Sequence, residues 1–505
     1  MGPIGLAHGP TAWREVMTES SDSLRLILGL KLRNLRLARD EGLRDVASRA
    51  GLSVSYLSEV EQGKKYPKPD KLLRLAAALE IAYDDLVSSK VTAELGPLKA
   101  AVSSGFLREF PFELFGLERE DLVRLISDAP GKTGALIQTL VDIGRSYDVQ
   151  VEHFLLSALR SFQQMHANYF EELELAASDF RQAQKWVPGE PVEAVALARF
   201  LESQWGYRID RETISDNSDL RGFRSVFVAG PRPLVHLNRR LLPIQQAFIL
   251  AREVGYRILG LEERVTTSSW IKVESFAQVL NNFKASYFAG ALLMDRASLG
   301  GELKSLFSRS TWDSQSLLEI MARYRATPEM FLYRLTELVP QLFGLEKLFF
   351  LRFHKQAETE GVGLTKVFNL SGVPVPYGLG LKEHYCRRWP GVRLLSTESS
   401  NLPVEVQRSR FLNQDAEFFV LTMGRPLALD PLARSTVSIG LLLDERCKRT
   451  LRFWNDPAIE QVEVNLTCER CPFDEEDCKD RVALPTMIRQ QAEQRRMEAA
   501  LAELS

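Results

Sequence analysis

The sequence contains no stretch approaching the ~20 consecutive apolar residues that a membrane-spanning helix requires, and residues 1–23 hold no apolar core flanked by positive charge. A membrane or exported protein is therefore not expected, and the chain reads as cytosolic. Met1-Gly2 opens like an acylation signal, but Pro3 follows and Leu6 stands where Ser or Thr is needed. An excess of one charge is also missing: 64 Lys and Arg against 66 Asp and Glu give a formal net charge of −2. Binding to a polyanion must then come from a local basic patch. Cysteine is scarce, five in 505 residues, which speaks against a disulfide scaffold. In a reducing compartment such thiols are metal or cluster ligands, or buried groups. The hydrophobic fraction of 45% is enough for three or four domains with real cores, and nothing indicates disorder.

A further absence lies inside the run Phe248 to Leu259. Phe248, Ala251, Gly255 and Ile258 recur at three- and four-residue steps, so the run reads as a helix with one buried face. In zinc peptidases such a helix carries two His four residues apart around a catalytic Glu. Here the Glu is present as Glu253, but Arg252 and Tyr256 occupy the ligand positions. A guanidinium has no lone pair to give a metal. Val226 to Gly230 and Leu234 to Asn238 read as strands around a Gly-Pro-Arg-Pro turn. Pro243 opens the helix, and a second helical run covers 279–294. In this order the segment resembles the ImmA/IrrE metallopeptidase family over roughly residues 190–350, a zincin-like domain in degenerate form. The family's acidic third ligand precedes an Ala-x-x-Phe-Ala stretch, matched by Ala285 to Ala289, and Lys284 stands in its place. The resemblance implies a domain without its metal ligands. The helix pair would leave a cleft lined by Arg252, Tyr256, Phe283 and Tyr287, with Phe248, Arg239, Arg240 and Lys284 close by. The alternative is that Arg252 only pairs with a carboxylate such as Asp295 and core side chains fill the cleft.

Residues 24–90 fall into five short helices. Ile27, Leu30, Leu32, Leu35 and Leu37 mark the first, with Lys31, Arg33, Arg36 and Arg39 read as its solvent side. A second helix closes at Gly51-Leu52, and a third runs from Ser53, a suitable N-cap, to a stop at Gly63. The basic turn Lys64 to Pro69 and a fourth helix follow. The unit resembles the Cro/repressor-type helix-turn-helix, although Leu43 or Arg44 stands where that family often has a phosphate-binding Gln. The resemblance implies double-stranded DNA as partner: Ser53, Ser55, Tyr56 and Glu59 at the major groove, Arg33, Arg44, Lys64 and Lys65 at phosphates. Repressors of this class read two half-sites as homodimers. The aromatic run at Phe106 to Phe115 and the one from Phe154 to Phe170, within a helical connector over 91–185, are either core or a dimer contact.

Beyond about residue 360, Gly- and Pro-punctuated loops give way to strand-like runs at 417–422 and 436–443, so 360–486 reads as an α+β domain. Cys468-x2-Cys471-x6-Cys478 lies in a polar, turn-rich segment, and Cys386 could be a fourth thiolate. Four such ligands suit either zinc or a [4Fe–4S] cluster. Cys447 reads as a strand-core thiol, and the tail from Met487 as a solvated helix. Cys386-x-x-Trp389, the cysteine triplet and Arg481-Val482-Ala483-Leu484-Pro485 resemble the C-terminal domain of the short-chain fatty acyl-CoA regulators, which join it to the same helix-turn-helix and peptidase-like domains. The resemblance implies an iron–sulfur cluster on Cys386, Cys468, Cys471 and Cys478 and an acyl-CoA effector. The expected fold is mainly α with α+β parts: a DNA-binding helical bundle, a degenerate zincin-like middle domain and a cysteine-cluster domain, acting as a non-enzymatic regulator. Two competing readings are a redox or metal sensor without organic ligand and a residual peptidase using Glu253.

Overall fold

The computed structural model describes residues 25, 28–29, 31–88, 151–267, 275–355, 361–376, 383–396, 404–412, 414–473, 476, 478–479 and 481–502. The chain divides into two compact units, Met1–Ala158 and Leu159–Ser505. The aromatic run at 106–115 lies outside the described residues, as does the Phe154 side chain.

In the first unit a helix over 31–38 (α1) precedes α2 (Leu43–Ala50), α3 (Val54–Glu61), α4 (Pro69–Ala78) and α5 (Tyr83–Val87). Local chemistry sets each boundary. Asp45 accepts the Gly42 amide ahead of α2, Gly51 closes that helix at φ +62, and the Ser53 hydroxyl accepts the Tyr56 amide at 3.2 Å to cap α3. Leu28, Leu32, Val46, Leu57, Val60, Leu72 and Leu75 form the core. A Cβ on Gly29 would lie 2.5 Å from the Val60 carbonyl oxygen, so the chain just before α1 can approach the end of α3 only through glycine. Two residues read as solvent-facing are buried. Lys31 donates to the Asp85 and Ser88 carbonyls at 3.0 and 2.6 Å, and Arg36 grips Glu61 at 2.8 and 2.7 Å. Each cation is turned inward by a partner more than twenty residues away, which helical spacing cannot reveal.

The second unit takes in the end of α6 (Val151–Met165), then α7 (Glu171–Ala183) and α8 (Ala194–Trp205). A three-stranded sheet follows, with β3 (Leu234–Leu237) between β1 (Arg208–Asp210), parallel to it, and β2 (Ser225–Val228), antiparallel. After the short α9 (Thr213–Asp216) come α10 (Pro243–Ile258) and α11 (Phe276–Leu293), which pack so closely that a Cβ on Gly255 would meet the Phe288 ring at 2.9 Å. The aromatic stripe Phe162, Phe170, Phe283 and Tyr287 is core of this unit, its rings in contact at centroid distances of 5.3 to 6.1 Å.

Helices α12 (Arg296–Phe307), α13 (Ser314–Arg323) and α14 (Pro328–Phe343) cover one face of a six-stranded sheet of order β5-β4-β8-β7-β6-β9. Its strands are β4 (Leu348–Lys355), β5 (Gly363–Asn369), β6 (Val404–Phe411), β7 (Glu417–Pro426), β8 (Arg434–Leu442) and β9 (Gln461–Val464). Alternate residues serve opposite faces: Leu348, Phe350, Phe419 and Leu421 meet the helices, while Phe349, Leu351, Phe418 and Val420 join Cys386 and Trp389. The boundary expected at 350–360 falls inside the β4–β5 hairpin, and one core runs from Met294 to Ile459. Short α15 (Pro390–Ser396) covers the second face, α16 (Glu445–Thr450) follows β8, and α17 (Thr486–Ala502) has mostly exposed residues. Cys447 is buried, but in α16 and not in a strand. The Phe349 ring lies over Gly440, within 2.2 Å of where a Cβ would be. Gly440→Ala is expected to cost about 1–3 kcal/mol by overpacking; an unchanged urea midpoint would contradict this packing. Among the described residues, no helix is long and apolar enough to cross a membrane.

Candidate functional site

In α3 the apolar residues Leu57 and Val60 face the core, leaving Ser53, Val54 and Ser55 exposed at the N-terminal turn. Tyr56 is half-buried and lies beneath the Lys71 ammonium, 3.8 Å from its ring centre. Glu59 accepts from Lys65 at 2.5 Å on the surface. Lys64 and Lys65 are exposed on the turn after α3, Arg44 is exposed on α2, and Arg33 is half-buried on α1. The residues singled out on α3 and its turn thus form one rim. This rim presents hydroxyls and an aromatic group flanked by cations, a combination suited to base edges and phosphates.

At the peptidase-like helix Glu253, Arg252 and Tyr256 each meet a side-chain partner. Glu253 is 4% exposed, and Arg264, from the loop after α10, grips both its oxygens at 2.6 and 2.7 Å. The Arg264 guanidinium is itself stacked between the Phe227 and Tyr256 rings, at 3.6 and 4.0 Å. Arg252 donates to the Asn282 side-chain oxygen, which the Tyr256 hydroxyl approaches at 3.4 Å. Both Glu253 oxygens are thus occupied by the guanidinium fork and not directed at an open site. Neither Arg264 nor Asn282 carries a periodic signal that sequence reading could have used.

The structure does not open a cleft at Phe283 and Tyr287. Both are buried, and the Tyr287 hydroxyl donates to Glu174 at 2.8 Å while accepting from the Phe170 amide. Of the basic residues expected nearby, Arg239 pairs with Glu212 and Asp216. Asp295, the carboxylate considered for Arg252, instead caps α12 through the Ser298 amide and accepts the Gly189 amide.

A groove of about 640 Å³ lies elsewhere, between α7 and the α11–α12 junction, with Arg181, Lys185, Trp186 and Arg296 among its walls. Arg181 is 4% exposed; its terminal nitrogens donate to the Leu292, Val187 and Glu190 carbonyls, and its Nε has no partner among the described residues. Burial pulls its pKa down, only partly opposed by the nearby charge of Asp295. Lys185 is exposed, and Arg296 is held by Glu171 at 2.7 and 2.8 Å. Glu174 and Asp295 also line the groove, so Arg181, Lys185 and Arg296 stand in a wall of mixed charge beside the Trp186 indole. An anionic ligand with an apolar or aromatic part would have to engage those three cations.

Backbone pairing brings the Cys386 and Cys468 segments together beside the second face of the large sheet. An isolated bridge, Tyr385 with Thr467, brings the backbone before Cys386 beside that before Cys468. The Cys386 amide donates to the Leu466 carbonyl at 3.2 Å, and the Cys468 amide to the His384 carbonyl at 2.8 Å. Cys471 returns by a tight turn, its amide on the Cys468 carbonyl at 3.2 Å. Cys386, Cys468 and Cys471 are buried, Cys478 is half-buried, and all are free thiols. Burial pushes the Cys386 thiol up to about 11, with Cys471 and Cys468 near enough to add to the shift, and Cys471 is raised by burial with contributions from Cys478 and Cys468. No three described His, Cys, Asp or Glu side chains are grouped to hold a single ion. Backbone pairing thus brings Cys386 beside the Cys468–Cys471 turn, with Cys478 further along the same segment. Cys447 stands apart in the helix-covered core, its thiol pushed up by burial to about 12.

Comparison with known proteins places two domains. Residues 27–88 match the helix-turn-helix domain family, and residues 211–336 match the IrrE N-terminal-like domain. The transcriptional regulator ClgR of Mycobacterium tuberculosis is 36% identical over 58 residues, 12% of this chain and 52% of ClgR. An uncharacterized HTH-type regulator of Bacillus subtilis, RghRB, is 37% identical over 62 residues, 12% of this chain and 45% of that protein. The HTH-type regulator DdrOP3 of Deinococcus deserti is 40% identical over 57 residues, 11% of this chain and 44% of its own length. The chain thus spans about half the length of the curated relatives it matches. A solved Mycobacterium tuberculosis transcriptional regulator aligns at a TM-score of 0.45 and 16% identity, covering 65% of this chain and 93% of that one, a likeness too loose to argue from.

Proposed function

We propose that this chain is a cytosolic, dimeric DNA-binding transcriptional regulator. In this reading α3 reads duplex DNA, and an acyl-CoA-type effector and a cysteine-held [4Fe–4S] cluster set its affinity. The observation that carries the reading is the α3 rim: a Ser-capped helix with an exposed N-terminal turn, followed by Lys64 and Lys65, within a matched helix-turn-helix domain. Relatives matched over this segment are named as transcriptional regulators, which supports the same function here. Dimerisation follows from how such units read two half-sites about one helical turn apart.

The groove at Arg181 supports an effector site better than the α10–α11 pair, where Phe283 and Tyr287 are enclosed. The acyl-CoA class combines phosphates for Arg181, Lys185 and Arg296 with a ring that can meet Trp186. Peptide hydrolysis is disfavoured because Glu253 is bound to Arg264 and the former ligand positions offer Arg252, Tyr256 and Lys284. Cys386, Cys468, Cys471 and Cys478 would hold the cluster, which when bound supplies one-electron redox chemistry or sensitivity to oxidants. Zinc on the same thiols is the second reading, favoured by the similar ligand spacing.

Anaerobic purification followed by iron, sulfide and zinc analysis separates the metals; iron with matching sulfide is expected, and zinc without sulfide would overturn the cluster. Calorimetry with acetyl-, propionyl- and longer acyl-CoA tests the effector. Arg181→Ala is expected to weaken binding at least about tenfold, or 1.4 kcal/mol, while Arg252→Ala leaves it unchanged. Binding that survives Arg181→Ala and is lost in Arg252→Ala would return the site to the helix pair.

A further inference from the structure

We propose that Lys71 is a positioning residue of the DNA-reading surface: from α4 it holds the Tyr56 ring of α3 in one orientation, so that the pair sets sequence preference. The proposal rests on the reading of α3 as the DNA-contacting helix, and it adds the first turn of α4 to that interface.

The local sequence fixes where both groups stand. Tyr56 is in the first turn of α3, where its amide donates to the Ser53 hydroxyl at 3.2 Å, while Leu57 and Val60 are turned into the core. Lys71 is in the first turn of α4. Pro69 starts this helix, the Lys71 amide donates to the Lys68 carbonyl at 2.9 Å, and Leu72 and Leu75 are buried. With both helices held by core residues, the Lys71 ammonium lies 3.8 Å from the centre of the Tyr56 ring, and Lys65 reaches from the basic turn to 5.8 Å. An aromatic face attracts such a cation, and more strongly where the two are partly shielded from water, as the half-buried Tyr56 and Lys71 are.

The partners these two groups lack decide their use. Lys65, on the turn, pairs with Glu59 at 2.5 Å, and Arg74, one turn along α4, pairs with Asp70 at 3.3 Å. Among the described residues no carboxylate pairs with Lys71 and no hydrogen bond engages the Tyr56 hydroxyl. A phenol hydroxyl both donates and accepts, so it can meet a base edge. A tyrosine side chain that is free to turn must be ordered before it can do so, and that ordering costs affinity. The stacked Lys71 orders the ring before DNA arrives. A lysine that only touches phosphate strengthens binding to every duplex alike, whereas one that orders a base-reading side chain strengthens the preferred duplex more.

The test uses the full chain and two duplexes, one selected from a random library by the parent protein and one of scrambled sequence. Fluorescence anisotropy at several salt concentrations gives both affinities for the parent, Lys71→Gln, Lys71→Arg, Tyr56→Leu and the double variant Lys71→Gln with Tyr56→Leu. Circular dichroism follows the helices. Lys71→Gln is expected to lower the ratio of selected to scrambled affinity by roughly two- to fivefold, the size of a partly exposed cation–π contact. Lys71→Arg, whose guanidinium also stacks on an aromatic ring, should keep most of the ratio. In the Tyr56→Leu background Lys71→Gln should lower the ratio no further, because no ring is left to hold. An unchanged ratio in Lys71→Gln would overturn the proposal; a salt slope lowered by about 0.9 would then make Lys71 a phosphate contact only. So would a ratio that Arg fails to restore and that falls with the helix signal, which is a purely structural role. A full further loss in the Tyr56→Leu background would overturn it too, since Lys71 would then read bases by itself. Each of these outcomes leaves DNA binding by α3 standing. A parent protein that binds both duplexes equally, or neither, would overturn that reading together with the proposal.

Discussion

Arg334→Ala is expected to destabilise the 159–505 unit by about 3–5 kcal/mol, because it leaves two buried carboxylates without their cation. The guanidinium is 1% exposed and grips Glu174 at 2.6 and 2.8 Å and Glu337 at 2.8 Å, with a fourth bond to the Met294 carbonyl at 3.1 Å. These bonds join α7, the end of α11 and α14. Two carboxylates on one cation leave an excess negative charge, and burial pushes the Glu337 carboxyl up to about 8 despite Arg334. The sign follows from linkage: a carboxyl raised in the folded state favours folding below its ordinary value near 4.5 and loses that contribution as pH rises through about 8. Glu337→Gln should therefore gain on the parent protein between pH 5 and pH 8, by at most about 1.4 kcal/mol per pH unit. Urea unfolding followed by tryptophan fluorescence reads both effects. An Arg334→Ala midpoint equal to the parent's would remove the network as a source of stability. A Glu337→Gln difference independent of pH would contradict the raised carboxyl.

The second large effect is on DNA. Lys64→Ala with Lys65→Ala is expected to weaken duplex binding about tenfold or more at moderate salt, equally for all sequences, and to reduce the salt slope by about 1.8. Both lysines are exposed on the turn after α3, and the Lys65–Glu59 pair has half-exposed partners, so it holds Lys65 only weakly. Ser55→Ala should instead change the ranking of sequences selected from a random duplex library, with little change in salt slope. Titration by fluorescence anisotropy at several salt concentrations distinguishes the two outcomes. A double variant that binds as tightly as the parent would remove the turn from the interface.

What could be read from the sequence was local. The Ser53 cap, the Gly51 turn, Pro69 at the start of α4 and the 3.6-residue spacing around Ala251 and Gly255 each need only neighbours in the chain, and the helices appear there. What was missed depends on partners far away. Lys31 and Arg36 look like surface cations until α5 and Glu61 arrive. Tyr287 looks like a cleft residue until Glu174, 113 positions earlier, takes its hydroxyl. Strand β5 was hidden in a glycine-punctuated stretch because its edge position alternates burial only loosely. Cys447 had a readable signal that went unused: Asp444 accepts the Arg446 and Cys447 amides as an N-cap. Among the cysteines, the Cys468–Cys471 pair is legible by spacing, whereas the proximity of Cys386 depends on backbone pairing with a segment some eighty residues later, through the Tyr385–Thr467 bridge and the Cys386–Leu466 and Cys468–His384 hydrogen bonds.

Regulated DNA binding is the central claim, and it requires that one ligand bind two states of DNA affinity unequally. The direct measurement is anisotropy of the metal-loaded full chain on its selected duplex, with and without saturating propionyl-CoA, repeated with Arg181→Ala. The expected result is a shift in DNA affinity of at least about tenfold, or 1.4 kcal/mol of coupling, that Arg181→Ala abolishes while leaving ligand-free DNA binding intact. An affinity for the duplex that acyl-CoA leaves unchanged at saturation would contradict it.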